Sequence, residues 1–595
     1  MPDTHLIPAQ LDWAETGPRS RLYGDVYFSA EDGLAETRAV FLAGCGLPEA
    51  WRGRARYTVA ELGFGTGLNI AALLDLWRRE GPSEGRLHIF SVEAHPLGRE
   101  DAARALSAWP ELAPVTDLLL ARWPRQAAGL QRIDLPELPA TLDLAVADAA
   151  EALAGWSGQA DAWFLDGFAP STNPAMWSDA VLDGIAARSA PGARVATFTV
   201  AGQVRRGLAA RGFAVEKRPG WGRKRERLEA RLPGAAADPH RGPVAVIGAG
   251  IAGAAVCRAL RAEGVETVLI DGGEADMASA NPAALVTPRL DAGGGAVAAL
   301  HAQALLRAAD LYDATPDAVT ERGVLRLISS PDERRRFETV AAQPPWPAGA
   351  LQLLSPSEAS ERLGASAPHG GLWIETARVV DPAAVRAAWT QGAQRLSARV
   401  ASIEDGEGVR LLDADGALIV EADAAILCGG WSGQALTGLA MRPLRGQVSW
   451  AEGVDPPPVA AAWGGYAAPT PGGLLFGATH DRGDEALDLR EGDHVRNLTA
   501  LAQALPDIAE ALTVPHLRGR AGVRATTADH NPVCGLLPGR GRTFVLTGLG
   551  GRGFAAAPLL AEHLVASLTG TPSPLPLHLI RLTDATRRAV AHAQA

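Results

Sequence analysis

The chain has 595 residues, more than one ordinary hydrophobic core accommodates, so a small number of domains is expected. Its hydrophobic fraction of 47% and charged fraction of 21% are typical of a globular protein and exclude a disordered or fibrous one. The formal net charge of −11 argues against a general coat for nucleic acid, but it leaves room for a local basic surface.

The start of the chain and its cysteines contain no targeting or metal signal. Residues 1–5 lack a basic start followed by an apolar core, so no signal peptide is expected. The four cysteines are scattered without the spacing of metal ligands, which favours a reducing cytoplasm and no metal site. The longest apolar stretch, 244–260, contains glycines that indicate a nucleotide-binding turn rather than a membrane span.

The first glycine-rich turn lies between a predicted strand, 57–62, and a helix predicted to begin at Leu68. Gly63, Gly65 and Gly67 let the backbone turn sharply and approach a ligand closely. Because a turn of this kind is weak evidence by itself, the residues beside it decide what it binds.

Acidic residues stand at the ends of three successive predicted strands. Glu61 precedes the turn and can hold a ligand's amino group, and Glu93 follows the strand 87–92, where it can bind ribose hydroxyls. Asp148 follows the strand 142–147 and can accept a hydrogen bond from an adenine amino group. Carboxylates would repel phosphates, so the pattern favours S-adenosylmethionine over NAD. Capping of the elements that follow is the alternative for Glu93 and Asp148.

A fourth apolar strand delivers Asp166 to the carboxyl edge of the predicted sheet, where α/β proteins build their sites. The loop after it contains Phe168, Pro170 and Trp177, an aromatic rim that suits the stacking of a flat base. Methyl transfer to an alkylamine requires a deprotonated amine, so a nearby carboxylate can accept the proton or align the amine. Asp166 is the candidate for that role.

The densest basic run follows this region, between 205 and 227. It is either a solvated surface or a contact for RNA. The run consists of Arg205, Arg206, Arg211, Lys217, Arg218, Arg223, Lys224, Arg225 and Arg227.

The stretch 228–243 is rich in alanine, proline and glycine and loses hydrophobic periodicity, which predicts a linker. The domain assignment is a first domain at 1–232, a linker at 233–243 and a second domain at 244–595. Each side of the linker has its own glycine-rich turn, so two active sites are expected in one chain.

The second turn has the fingerprint of dinucleotide binding. A buried strand, 244–247, is followed by Gly248, Gly250 and Gly253 at the opening of a helix, and the next strand ends in Asp271. The glycines admit a pyrophosphate to the helix N-terminus, and the aspartate takes the ribose hydroxyls.

NAD and FAD share that fingerprint, and three later segments favour FAD. They resemble the loop near the flavin, the strand that returns to the cofactor domain and the C-terminal glycine-rich turn of flavoproteins of the D-amino-acid oxidase class. The cofactor-binding residues in these segments are Ser279, Asn281, Gly429, Gly430, Gly550, Gly551 and Gly553.

Arg524 is the candidate catalytic residue of the second site. The segment 522–532 resembles the oxidase segment whose arginine binds the substrate carboxylate, and a planar guanidinium matches a carboxylate with two hydrogen bonds. A surface salt bridge is the alternative. Four further pocket candidates are His301, Arg445, Gln447 and Tyr466, whereas His480 is given no catalytic role and Val400 is expected in the core.

Several segments together resemble the MnmC family of bifunctional tRNA wobble-uridine modification enzymes. They are YGDVYFS at 23–29, DGLAET at 32–37, ELGFGTGLN at 61–69, the WFLDGFAPSTNPAMW block at 163–177 and GWGRKRE at 220–226. Two departures are Ala147 and Ala280, where the family has glycine.

The resemblance implies two successive reactions on a tRNA anticodon. FAD-dependent oxidation removes the carboxymethyl group from 5-carboxymethylaminomethyl-(2-thio)uridine, with loss of glyoxylate. S-adenosylmethionine-dependent methylation then gives 5-methylaminomethyl-(2-thio)uridine. The partner is therefore tRNA, and a cytoplasmic monomer without membrane contact is expected.

The predicted fold class is α/β. It comprises an N-terminal Rossmann-like methyltransferase domain and a C-terminal FAD-binding Rossmann domain with an interleaved α+β substrate domain of the D-amino-acid oxidase type. One alternative is a fused pair of small-molecule enzymes, an amine methyltransferase and a glycine or sarcosine oxidase that never meets RNA. Another makes one half a degenerate binding module, which the intact glycine turns oppose.

Overall fold

The chain folds into two compact units. The computed structural model describes residues 7–14, 17–29, 32–222, 224–235, 242–273 and 277–590. The first unit comprises Met1–His240 with Ala566–Leu577, and the second comprises Arg241–Val565 with His578–Ala595.

An eight-stranded sheet forms the centre of the first unit, and its inner strands run parallel. In spatial order the strands are Gly129–Leu135, Ala140–Val146, Arg86–Glu93, Arg56–Leu62, Ala160–Leu165, Ser189–Thr197, Glu226–Arg231 and Ala214–Pro219. The strand Arg56–Leu62 is buried along its whole length, as expected of a parallel strand covered on both faces. A separate hairpin pairs Leu11–Ala14 with Gly17–Ser20.

Helices cover both faces of this sheet and enclose one hydrophobic cluster on each side. The α-helices are Gly33–Thr37, Leu68–Glu80, Arg99–Leu106, Ala113–Ala121, Ala149–Gly155, Asp179–Ala187 and Gly202–Ala210. The helix after the first glycine turn begins at Leu68, as predicted, because Gly67 before it has a φ of +79° that ends the turn.

The predicted start of the linker stretch at 228 is wrong. Residues Glu226–Arg231 form a strand of the sheet, with Leu228 and Ala230 buried on one side and charged residues between them. The alternation is short and carries arginine and glutamate, so it did not stand out from the polar sequence around it. Of the assigned linker, 236–241 lie outside the described residues.

A six-stranded, mainly parallel sheet organises the cofactor half of the second unit. In spatial order its strands are Gln394–Ser397, Thr267–Asp271, Val244–Ile247, Ala424–Leu427, Thr543–Thr547 and Val533–Leu536. The helix Ile251–Ala262 packs closely on it because Gly253 has no side chain: a Cβ there would lie 1.9 Å from the carbonyl oxygen of Gly248.

A larger mixed sheet is interleaved with the first in the sequence of the second unit. Its main path runs through Ala284–Val286, Gly371–Val380, Val319–Leu327, Ala461–Ala462, Tyr466–Thr470, Gly473–Gly477, Arg442–Glu452 and Asp481–Arg482. Leu351–Leu354 pairs with Gly371–Val380, and Arg518–Thr526 pairs with Arg442–Glu452. A small antiparallel sheet contains Ser402–Asp405, Val409–Leu412 and Leu418–Ala422.

The remaining α-helices follow these strands. They are Ile251–Ala262, Gly295–Asp313, Pro331–Ala341, Pro356–Leu363, Pro382–Trp389, Gln434–Thr437, Glu491–Ala504, Pro506–Ala509, Gly553–Thr569 and Leu577–Ile580. Across the described ranges, no helix combines the length and the apolar character needed to cross a bilayer. The predicted α/β class, with a parallel sheet in each unit and an interleaved mixed sheet in the second, is confirmed.

Substitution of Gly253 by alanine tests the close helix packing. The added methyl would meet backbone rather than a movable side chain, so Gly253→Ala should lower the free energy of unfolding of the second unit by about 1–3 kcal/mol. Gly492→Ala is the matched control, because Gly492 is exposed on a helix with no atom within 4 Å of its added Cβ. The control should stabilise by about 0.4–1 kcal/mol. Equal thermal unfolding curves for the two variants would contradict the packing argument.

Candidate active sites

The first unit contains a cavity of about 670 Å³ at the carboxyl ends of its parallel strands. Its walls include Glu93, Asp148 and Asp166, together with Gly63 and Gly65 of the predicted turn. The cavity thus brings together residues from four strand ends that are far apart in sequence. A volume of this size accommodates a small molecule.

Glu93 holds the glycine turn in place. Its Oε2 accepts a hydrogen bond of 2.9 Å from the Gly65 amide, and its Oε1 accepts one of 2.8 Å from the His95 amide. Desolvation raises the pKa of the Glu93 carboxyl, and the backbone donors offset part of that rise. A Cβ at Gly63 would lie 2.8 Å from the carbonyl oxygen of Asp166, so the turn also requires glycine there.

Glu61 and Asp148 have different surroundings. Glu61 is fully buried, lies outside the cavity walls and accepts a hydrogen bond of 2.6 Å from the Ser91 hydroxyl, and burial raises its pKa to about 8. Asp148 lies on the cavity wall and also caps the helix Ala149–Gly155, accepting a hydrogen bond of 2.9 Å from the Ala150 amide. The predicted ligand contacts of both residues stay predictions.

Asp166 lies in the cavity with one of its oxygens already engaged. Its Oδ2 accepts a hydrogen bond of 2.7 Å from the Asn69 amide group, whose oxygen accepts one of 2.7 Å from the Thr37 hydroxyl. This chain fixes the carboxyl group and leaves its Oδ1 without a hydrogen bond among the described residues. Desolvation raises the pKa of Asp166 to about 7, which suits a group that exchanges a proton near neutral pH.

The aromatic rim of the cavity differs in part from the predicted one. Phe168 lies on the wall and contacts Tyr23 and Tyr27, with ring centroids 5.0 and 5.3 Å away. Trp177 is buried instead, and its indole nitrogen donates a hydrogen bond of 2.9 Å to the Phe168 carbonyl. Pro170 is likewise absent from the wall. Trp177 therefore supports the loop from behind rather than stacking on a ligand.

Four members of the basic run pair with nearby acidic side chains. Arg211 pairs with Asp179 and Asp183, Lys217 with Glu226, Arg218 with Glu216 and Glu229, and Arg227 with Glu229. Arg223 lies outside the described residues. Lys224 is different, because it reaches the wall of the cavity and pairs with Glu36. The predicted contact of this run with tRNA stays a prediction.

The second unit contains a cavity of about 710 Å³ beside its parallel sheet. Its walls combine glycines of the second turn, of the returning strand and of the C-terminal turn with the two polar residues of the predicted flavin loop. The predicted residues on the wall are Gly248, Gly250, Ser279, Asn281, Gly429, Gly430, Gly550, Gly551 and Gly553. The two further predicted residues, Gly253 and Asp271, lie outside it.

The geometry of the second glycine turn fits a dinucleotide. Gly248 has a φ of +103°, and a Cβ there would lie 2.8 Å from the Cys428 carbonyl oxygen, so no other residue fits. The Ile251 amide at the helix start donates to the Ser279 hydroxyl over 3.1 Å. Asp271 ends the neighbouring strand and accepts a hydrogen bond of 3.0 Å from Gly273. A glycine turn that opens onto a helix N-terminus suits the binding of a diphosphate.

Arg524 lies in the second cavity with no carboxylate partner among the described residues. Its guanidinium donates to the Thr479 carbonyl over 3.2 Å and lies 3.3 Å from Nε2 of His480. Desolvation lowers its pKa. A Cβ at Gly446 would lie 1.7 Å from Nη2 of Arg524, so the arginine occupies space that only glycine leaves open. The predicted alternative, a surface salt bridge, is not present.

Arg445 and Gln447 do not line the cavity, contrary to prediction. Successive side chains of a strand point to opposite faces, and on Arg442–Glu452 it is Leu444, Gly446 and Val448 that reach the wall. Arg445 is fully buried on the other face. There it pairs with Asp493 over 2.5 Å and bonds Gln447, which forms part of the same polar cluster.

The other pocket candidates reach the cavity, and sequence reasoning missed two residues. His301 and Tyr466 lie on the wall, whereas Val400 is in the core as expected. His480, to which no role was given, contacts Arg524. Arg552 was also missed: it lies on the wall, bonds Thr287, and desolvation lowers its pKa to about 10. Its place inside a predicted glycine turn was the available signal.

Two family models match the chain. An S-adenosyl-L-methionine-dependent methyltransferase model matches residues 110–233, and an FAD dependent oxidoreductase model matches residues 243–567. The cofactors are therefore S-adenosylmethionine and FAD, as predicted. Within the described ranges, no group of three or more histidine, cysteine or acidic side chains is placed to hold a metal ion.

Curated relatives match along nearly the whole chain. A protein of Caulobacter vibrioides named tRNA 5-methylaminomethyl-2-thiouridine biosynthesis bifunctional protein MnmC is 57% identical over 588 residues, 98% of each chain. A protein of Maricaulis maris with the same name is 46% identical over 581 residues, 95% of this chain and 93% of its own. Iminodiacetate oxidase from Chelativorans sp. is 22% identical with a TM-score of 0.50, over 58% of this chain and 100% of its own, which supports the oxidase fold.

Removal of the Glu93 carboxylate tests the first cavity as the donor site. Glu93→Ala should weaken S-adenosylmethionine binding at least about tenfold. The Gly65 amide would lose its hydrogen-bond acceptor, and so would the ribose hydroxyls of the bound donor. Calorimetric titration measures the dissociation constant. Glu100→Ala is the control, since Glu100 lies in the first turn of Arg99–Leu106 and outside the cavity wall. Unchanged affinity in Glu93→Ala would exclude this site for the donor.

Proposed function

Because this chain belongs to the MnmC family of bifunctional enzymes in tRNA 5-methylaminomethyl-2-thiouridine biosynthesis, it is a tRNA-modifying enzyme with oxidoreductase and methyltransferase activities, and we propose how its residues divide the work. The second unit removes the carboxymethyl group from 5-carboxymethylaminomethyl-(2-thio)uridine. The first unit then methylates the resulting aminomethyl group. The product of one cavity is the substrate of the other, which accounts for two active sites in one chain.

Arg524 binds the carboxylate of the carboxymethylaminomethyl group. The observation that carries this assignment is a partly buried guanidinium without a carboxylate partner among the described residues, in a cavity whose walls fit a flavin. Two hydrogen bonds to a carboxylate fix the position of the adjacent α-carbon. Tyr466 and His480 border the same space and limit how the substrate lies.

The carbon–nitrogen bond to the carboxymethyl group is broken in two stages, oxidation and then hydrolysis. FAD supplies the acceptor for a hydride from the glycyl α-carbon. Loss of that hydride and of the nitrogen proton leaves an imine between the nitrogen and the α-carbon. Water then adds to the imine carbon, and cleavage of the carbon–nitrogen bond releases glyoxylate and leaves the primary amine on the uridine.

Asp166 accepts a proton from the aminomethyl group during methyl transfer or aligns that amine. Asn69 donates a hydrogen bond to one carboxylate oxygen of Asp166 and so restricts rotation of the carboxylate. The second carboxylate oxygen therefore keeps a defined position toward the amine. Glu93 and Asp148 hold the donor's ribose and adenine, and Glu61 is assigned to its amino group. Phe168, with Tyr23 and Tyr27, provides the surface against which the base lies.

The remaining expectations belong to the same proposal. The methyltransferase domain is assigned to 1–232, the linker to 233–243 and the oxidoreductase domain to 244–595. The basic run at 205–227 contacts tRNA. The enzyme works as a monomer in the cytoplasm, where its substrate is found. A fused pair of small-molecule enzymes is not favoured, because curated relatives over nearly the whole chain are named for tRNA modification.

Two variants should stop the pathway at different nucleosides. With tRNA from a strain lacking this enzyme, Asp166→Ala should accumulate the aminomethyl form, because the proton acceptor is gone. Arg524→Ala should leave the carboxymethylaminomethyl form, yet still methylate supplied aminomethyl-tRNA. Each step should slow at least about a hundredfold, given the contributions of acid–base and positioning groups. Nucleoside analysis by mass spectrometry reads both steps.

Each variant has a matched control. Asp183→Ala removes an exposed aspartate paired with Arg211, and Arg518→Ala removes an exposed arginine on the same strand as Arg524. Both controls should give the full methylaminomethyl product. Normal product from Asp166→Ala or Arg524→Ala would exclude the role assigned to that residue.

A further inference from the structure

Lys224 is fixed at the wall of the first cavity by two contacts. Its Nζ lies 2.8 Å from Oε1 of Glu36 and 4.1 Å from the centroid of the Phe198 ring. Glu36, Phe198 and Asp166 lie on the same wall. Lys224 is itself exposed, with 47% of its side chain accessible, and the carboxylate and the aromatic face hold its ammonium group beside the cavity.

The charge balance of this cavity gives Lys224 particular weight. Among the described residues on the wall, Lys224 carries the only lysine or arginine charge. Facing it are the carboxylates Asp25, Glu36, Glu93, Asp148 and Asp166. A cavity so rich in carboxylates favours protonation of any group inside it, whether a carboxyl or an amine.

The other titratable groups around the cavity are two tyrosines, a glutamate and a histidine. Tyr23 and Tyr27 are neutral, because burial and nearby carboxylates raise their pKa further. Glu61 lies outside the wall, and His95 lies on the wall with its Nδ1 2.9 Å from the Ile7 carbonyl oxygen. Lys224 is therefore the only lysine or arginine charge on the described part of the wall, and it opposes protonation there.

We propose that Lys224 is a positioning residue of the methyl-transfer step, its ammonium held by Glu36 and Phe198 so that Asp166 and the substrate amine both stay deprotonated. This inference rests on the proposed methyltransferase function of the first unit. A neighbouring cation disfavours an ammonium and favours a carboxylate, the same principle that activates lysines beside other cations. Desolvation is the main cause that raises the pKa of Asp166, and the Asn69 hydrogen bond lowers it. Of the two charged neighbours, Glu36 raises that pKa and Lys224 lowers it by less, so removal of Lys224 would leave the effect of Glu36 uncompensated.

The proton balance shows why both groups must be deprotonated. The neutral amine nitrogen forms a bond to the methyl carbon with its lone pair, while the sulfur–methyl bond breaks and its electron pair returns to sulfur. The nitrogen then carries a positive charge and one proton too many, which passes to the carboxylate of Asp166. An amine that enters as ammonium, or an Asp166 that is already protonated, cannot take part.

The test is the pH profile of methylation by the full-length enzyme. The single-turnover rate at saturating S-adenosylmethionine and saturating aminomethyl-tRNA reports groups in the bound complex. Lys224→Met should move the acidic limb of that profile to higher pH by about 0.5 unit or more, a loss of about threefold or more on the limb. At higher pH the rates should converge. Lys224→Arg should restore the wild-type limb, and Glu36→Gln should move it to lower pH.

The matched control is Arg122→Met, which removes another paired cation of the first unit that lies outside the basic run. Arg122 pairs with Glu137 over 2.6 Å and lies outside the cavity wall, so Arg122→Met should leave the limb unchanged. A uniform rate loss in Lys224→Met at every pH would overturn the proposal in favour of a phosphate contact or a structural role. An equal shift in Arg122→Met would overturn it too. Absence of methylaminomethyl product from the wild-type enzyme would instead refute the proposed function itself.

Discussion

Each site centres on an ionisable side chain on its cavity wall that forms no salt bridge with a described residue. Asp166 and Arg524 occupy such positions, whereas Arg445 has Asp493 and Arg307 has Glu562. A desolvated charge costs free energy unless it is paired, so the surrounding fold must hold it there. Under the proposed function, the substrate supplies the missing partner: an amine proton for Asp166 and a carboxylate for Arg524. Binding and chemistry therefore share one electrostatic origin.

The two units solve the same geometric problem with different chemistry. In each, a glycine with positive φ, Gly63 or Gly248, turns the chain at the end of a parallel strand and leaves no room for a Cβ. The turn in the first unit is surrounded by carboxylates, which suits a cationic donor without phosphates. The turn in the second opens onto a helix N-terminus and a cavity with several arginines, which suits a diphosphate and an anionic substrate.

Local features of both sites were predictable from sequence. Two kinds of feature were not: which face of a buried strand meets the cavity, and which residues far apart in sequence come into contact. The turn at 63–67 and the helix start at Leu68 follow from glycine and apolar periodicity alone. Arg445 was misplaced because both faces of its strand are buried, so alternation gave no signal of which face meets the cavity. The contact of Lys224 with Glu36 joins residues 188 positions apart, and only the folded sheet shows it.

The most direct measurement is a crystal structure of the full-length protein grown with both FAD and S-adenosylmethionine. The donor should lie between Glu93 and Asp166 in the first unit. The flavin ring should lie against the glycine turn at 550–553 in the second, within reach of Arg524. Density for either ligand outside its cavity, or for both in one cavity, would contradict the assignment of one cofactor to each sheet.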